Sequence, residues 1–149
     1  GPVWALDATP DGHGVASAAS DGAARIWNGT TTALALGDGS STMMSLSYRR
    51  DGALVATGVA DGIVSVWDAT NGKQVGAQPL APDMPVFQLT WSPGGDRLLI
   101  MTASGAKLWR VPAWHGTSAE LATRLRCALH WQLHNATLVP AVPDPAACR

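Results

Sequence analysis

Hydrophobic positions along the chain alternate with small or polar ones at a spacing of two, in short runs broken by glycine-containing turns. The clearest run is Ile63-Val64-Ser65-Val66-Trp67-Asp68, entered through Asp61-Gly62. Its β-branched residues suit a pleated surface. Asp-Gly suits a two-residue hairpin turn, because glycine accepts positive φ without steric cost. A closely similar run leads from Asp21-Gly22 through Arg25 and Ile26 to Trp27-Asn28. Between Val3 and Val111 no stretch keeps a helical spacing, and Gly and Pro recur too often for helices.

The pattern repeats. Three starts, at Val3-Trp4-Ala5-Leu6, Met43-Met44-Ser45-Leu46 and Val86-Phe87-Gln88-Leu89, each predict a strand running into a turn. The turn glycines Gly12, Gly52 and Gly95 stand 40 and 43 residues apart, and Trp27, Trp67 and Trp109 stand 40 and 42 apart. In the second unit strands are expected near Met43–Tyr48, Ala53–Val59, Ile63–Trp67 and Lys73–Leu80, with Asn71-Gly72 as a further hairpin signal. Short strands joined by tight turns make a four-stranded antiparallel sheet.

On the Trp67-Asp68 pair, the three starts and a period within ~40–45 residues, the chain resembles a WD40 repeat protein. The resemblance covers Val3 to about Val111. It weakens in the third unit, where Ser104-Gly105 replaces Asp-Gly and Arg110 follows Trp109. It implies an all-β, WD40-like β-propeller segment: three four-stranded blades plus a partial fourth. The blades are expected at 3–42, 43–85 and, degenerate, 86–111, with 112–149 as tail or partial blade.

The resemblance also implies structural tethers. In the family a buried Trp indole, a Ser or Thr, the turn Asp and a His from the preceding loop form a hydrogen-bonded set. Ser17, Asp21 and Trp27 match three of these positions, Thr57, Asp61 and Trp67 match them again, and Trp109 closes the third unit. The His of the preceding loop is absent from both units, since neither 37–42 nor the segment before Val3 supplies one. Asp21 and Asp61 have no paired base, nucleophile or metal ligand beside them in sequence, so a catalytic role is not expected. Eight residues before each turn glycine stand Trp4, Met44 and Phe87, at a variable position of the innermost strand near the channel mouth. They are candidate partner-binding residues, since aromatic and Met anchors are enriched at binding patches. Alternation, however, puts Trp4 on the Leu6 face and so favours inter-blade core.

Composition narrows the rest. Apolar residues make up 46 % of the 149 residues and charged ones 14 %, as in a globular domain. A net charge of −1 gives no basic field, so neither nucleic acid nor a membrane surface is an expected partner. The first residues do not read as a signal peptide, and two cysteines make no disulfide framework, so a cytoplasmic setting is expected. No cofactor motif is present: neither a phosphate-binding loop nor a dinucleotide fingerprint.

The tail admits two readings. Ser118–Arg126 suits a helix with a serine cap. Leu125–Trp131 and Ala136–Val142 suit a hairpin across Gln132–Asn135, favoured by Thr137, Leu138, Val139 and Val142. Cys127, His130, His134 and Cys148 have a spacing akin to zinc ligands, but on a strand Cys127 points away from His130 and His134, so no metal is expected. The expected function is non-catalytic protein recognition, in the manner of WD40 arrays that act as sensors in bacterial signalling or defence proteins. The alternative is a half-propeller that closes a ring with a second copy or with other blades of a longer chain.

Overall fold

The structure is a computed structural model that describes residues 1–79, 82–111, 131–134 and 137–140. Two compact units are present, Gly1–Val111 and Pro112–Arg149.

The first unit is all strand and turn. β1 (Val3–Ala8), β2 (Gly14–Ala19), β3 (Ala24–Asn28) and β4 (Thr31–Leu36) form one antiparallel meander, and β5 (Met43–Tyr48), β6 (Leu54–Val59), β7 (Ile63–Asp68) and β8 (Gln74–Pro79) form a second. β9 (Val86–Trp91), β10 (Arg97–Thr102) and β11 (Gly105–Arg110) form a third. Four strands were expected in that last sheet; three are found, and the chain after Val111 lies outside the described residues.

Each meander turns first at a glycine in the left-handed region. Gly12, Gly52 and Gly95 have φ of 75°, 74° and 70°. Their N–H groups donate to the carbonyls of Thr9, Arg49 and Ser92 at 2.8, 2.8 and 2.9 Å. A side chain is strained in that conformation and glycine is not, which is why these positions punctuate the repeat. The second turn differs from expectation. Asp21-Gly22 and Asp61-Gly62 are not the centre of a two-residue hairpin, because pairing stops at Ala18↔Ala24 and Gly58↔Val64. Asp21 Oδ1 instead accepts the N–H of Ala23 at 3.1 Å and Asp61 Oδ1 that of Ile63 at 3.4 Å. An aspartate that caps the amide two residues on widens the loop. The two-residue turn occurs in the third sheet, where Thr102 pairs with Gly105.

The sheets stack through their faces. One core cluster joins Ala16, Ala18, Ala24, Ile26 and Leu36 of the first sheet to Met43, Leu46, Tyr48 and Val55 of the second. Another joins Ala56, Val64 and Val66 of the second to Val86, Leu89, Trp91, Leu98, Ile100 and Trp109 of the third, with Val111 just beyond. The second sheet is therefore buried on both faces, as alternation along β6 and β7 with apolar residues on both sides requires. Polar links cross the same gaps. Tyr48 N–H donates to Asp7 Oδ2 at 2.8 Å, and Ser45 Oγ donates to the Val86 carbonyl at 2.8 Å.

In the second unit β12 (Trp131–His134) pairs with β13 (Thr137–Pro140), in register Trp131↔Pro140. The expected hairpin is present here but shifted. Gln132, Leu133 and His134 lie in the first strand rather than in the turn, and Pro140 takes the end position of the ladder, where a missing N–H is tolerated. The alternative reading, a helix at 118–126, lies outside the described residues, as do Cys127, His130 and Cys148 of the set with zinc-like spacing.

Candidate functional site

Two kinds of candidate residue were singled out, and the structure separates them. The tether residues come together in part. Trp27 Nε1 donates to Ser17 Oγ at 2.8 Å, and Trp67 Nε1 to Thr57 Oγ1 at 2.8 Å. Ser17 and Thr57 are buried, so each hydroxyl depends on its indole for satisfaction. Asp21 and Asp61 stand apart from these pairs. Asp21 is held by its own turn and by a bidentate contact with Arg25, with Nη2 at 2.7 Å, which keeps its carboxyl below the usual carboxylate range. The sets are thus two-membered, because the aspartates are spent on local backbone.

Among the described residues Trp109 has no such partner. In each sheet the position whose side chain faces the tryptophan lies two residues past its cross-strand mate: Val15 and Ser17, Val55 and Thr57, Leu98 and Ile100. Ile100 offers no acceptor, and no hydrogen bond of the Trp109 indole occurs among the described residues. Another tryptophan does the fastening. Trp91 Nε1 donates to the Ser47 carbonyl of the second sheet at 3.1 Å. The Arg49 guanidinium lies 6.0 Å from the Trp91 ring centre, a cation–π distance, and is gripped through Nε and Nη2 by Asp51 at 2.8 and 2.7 Å. By alternation with Leu89 along β9, Trp91 is a core position. The buried Arg49, 7 % exposed, is the signal that marks its second role.

Trp4, Met44 and Phe87 share a feature that alternation does not reveal. Each is the bulged residue of an innermost strand. Val3 pairs with Ala19 but Ala5 with Ala18, so Trp4 is left without a mate. Met43 pairs with Val59 but Ser45 with Gly58, leaving Met44. Gln88 pairs with Met101 but Val86 with Thr102, leaving Phe87. A bulge shifts the chain by one residue and re-aims the extra side chain. The consequence is plainest in β9. Phe87 and Leu89 share parity, yet Phe87 is 52 % exposed and Leu89 is 5 %. Trp4 is 56 % exposed, and Met44 is half-buried between its neighbours. The bulge at Trp4 breaks the alternation that placed it on the Leu6 face, and both side chains are exposed on the first sheet.

β1, β5 and β9 lie side by side, and the bulge falls at the second residue of each, so the three bulged apolar positions make a row across these strands. Such a row has no proton donor, nucleophile or charge of its own. Its chemistry is apolar contact flanked by backbone groups that a bulge leaves out of the ladder. Among the described residues no three His, Cys, Asp or Glu side chains are placed to hold a metal ion.

Residues 1–28 and 34–68 match the family model described as WD domain, G-beta repeat. No curated protein matches the chain.

Proposed function

The chain is a WD40 repeat protein, and on that premise we propose that it is a non-catalytic protein-recognition module whose contact surface is the row of bulged residues Trp4, Met44 and Phe87. WD40 repeats generally mediate protein–protein interaction. The single observation that carries the choice of surface is the recurrence of the bulge. Three independent strands each leave out the same residue, each time a large apolar one. Large apolar groups held partly in water are the usual anchors of a protein interface. The partner proposed is a protein, since a net charge of −1 supplies no attraction for nucleic acid or an anionic membrane. A sensing or docking arm in the cytoplasm is the role that fits this reading.

The test is selection of peptides from a displayed library against the whole chain, followed by calorimetry. Peptides enriched on the wild type should weaken by at least about tenfold on the Trp4→Ser/Phe87→Ser variant. Both side chains are about half exposed, so the variant should melt close to the wild type. Peptides that bind both proteins equally place recognition elsewhere and overturn the assignment.

A further inference from the structure

Every sheet in the stack has two faces, and the repeat lets equivalent positions be compared. One face carries Leu46 and Val55 in the second sheet and Leu89 and Leu98 in the third, all buried against the preceding sheet. The equivalents in the first sheet, Leu6 and Val15, are 67 % and 42 % exposed. The other face carries Ala16, Ala18 and Ile26 in the first sheet and Ala56, Gly58 and Val66 in the second, packed against the sheet that follows. Its equivalents in the third sheet are Leu99, Met101 and Leu108, which are 42 %, 43 % and 62 % exposed. Within the first unit, among the described residues, no sheet covers either of these two faces, which are of opposite kind.

Their side-chain sizes match each other. In both formed interfaces a large residue from one side meets small ones from the other: Tyr48 sits in the cluster with Ala16 and Ala18, and Trp91 in the cluster with Ala56. The uncovered faces reverse this. The first sheet has Ala8 where the others have Tyr48 and Trp91. The third sheet has Leu99 and Met101 where the others have Ala16 and Ala18, or Ala56 and Gly58. Interiors tolerate a redistribution of volume that keeps the total, and penalise a void or an overlap. Bulk missing from one face is present on the other.

We propose that these two faces bind each other between two copies of this chain, the first blade of one seated on the third blade of the next. This surface is distinct from the bulged row, so the peptide experiment and this one fail independently. The contact continues the interface already formed twice within the molecule, and it buries apolar area that monomers rarely leave in water. Because the faces differ, the contact is head-to-tail, and it closes when two copies complete a ring.

Sedimentation of the whole chain at micromolar concentration tests this. The wild type should sediment above the single-chain mass of 15.4 kDa. Leu6→Glu and Leu108→Glu, each at a strongly exposed position, should each sediment as single chains. Mixed in equal amounts they should recover a species of twice that mass, because one variant keeps the first-blade face and the other the third-blade face. A wild type that stays single overturns the proposal. So does a Leu108→Glu variant that assembles like the wild type, which would mean that the first-blade face pairs with itself or that another segment covers it. So does a mixture that stays monomeric. A cooperative melt establishes that each variant folds, and Val15→Glu with Met101→Glu supplies a second pair should one fail.

Discussion

In the second blade the Trp67 indole is satisfied inside its own sheet, by Thr57 at 2.8 Å. In the third blade Trp109 faces Ile100 and has no hydroxyl partner among the described residues, while Trp91 reaches out of the sheet to the Ser47 carbonyl at 3.1 Å. One blade is pinned from within and the other is pinned to its neighbour. Trp91 and Trp109 are buried, and Trp67 is partly buried. The two arrangements differ in what each blade can survive. A sheet whose tether is internal keeps its register when its neighbour moves away. A sheet fastened across an interface has its register specified only while the interface stands.

The largest test of that difference is Trp91→Ala. It removes an aromatic side chain that is 8 % exposed, together with the only indole bond from the third blade to the second among the described residues. Truncation of a buried Trp costs about 3–5 kcal/mol. Native-state hydrogen exchange should show the amides of β9 to β11 losing protection while β5 to β8 keep theirs. Equal loss in both blades would mean that the third blade is not a separable unit, and the contrast would fall.

A smaller effect separates the two tryptophans that close their blades. Trp67→Phe retains most of the buried ring but leaves the Thr57 hydroxyl, 1 % exposed, without its donor. An orphaned buried polar group costs roughly 1–3 kcal/mol. Trp109→Phe orphans no group among the described residues, since Ile100 takes the place of Thr57. In denaturant titrations Trp67→Phe should therefore lower stability by roughly that amount more than Trp109→Phe does. Equal midpoints would remove the hydrogen bond from the account and leave only packing.

Much of this architecture is legible in local sequence. Turn glycines declare themselves because positive φ is intrinsic to the residue, and the Trp–hydroxyl pairs do so because ten residues across one turn bring two antiparallel strands into register. Three things are not legible there. The aspartates Asp21 and Asp61 sit near the tethers in sequence, but a short carboxylate captures its own turn before it can reach across a strand. The bulges at Trp4, Met44 and Phe87 interrupt a ladder, and alternation counted along one strand cannot see a residue skipped on the partner. The acceptor of the Trp91 indole lies in the preceding blade, at a separation of 44 residues, and is a backbone carbonyl without any side-chain signature.

The smallest effect concerns the clasp beside Trp91. Asp51 grips Arg49 through two contacts, and Arg49 lies against the Trp91 ring. The Arg49 hydrogen bond, with a further one from the Ala53 N–H, holds the Asp51 carboxyl below the usual carboxylate range. A carboxyl whose folded pKa is depressed binds its proton more weakly in the folded chain than in the unfolded one. Its stabilisation is complete above the ordinary value near 3.8 and is lost as the pH falls toward and through the lowered folded value. The Asp51 side chain is 53 % exposed, so solvent screens the pair and its worth is about 1 kcal/mol or less. Asp51→Asn should accordingly be less stable than the wild type at pH 7, and the gap should close below pH 3.8. Denaturant midpoints of both proteins across that range isolate this residue, because the other carboxylates titrate equally in each. A gap that persists unchanged into strong acid would assign the loss to the Asp51 turn, whose carboxyl also accepts the Ala53 N–H at 3.0 Å, rather than to the clasp that steadies the third blade.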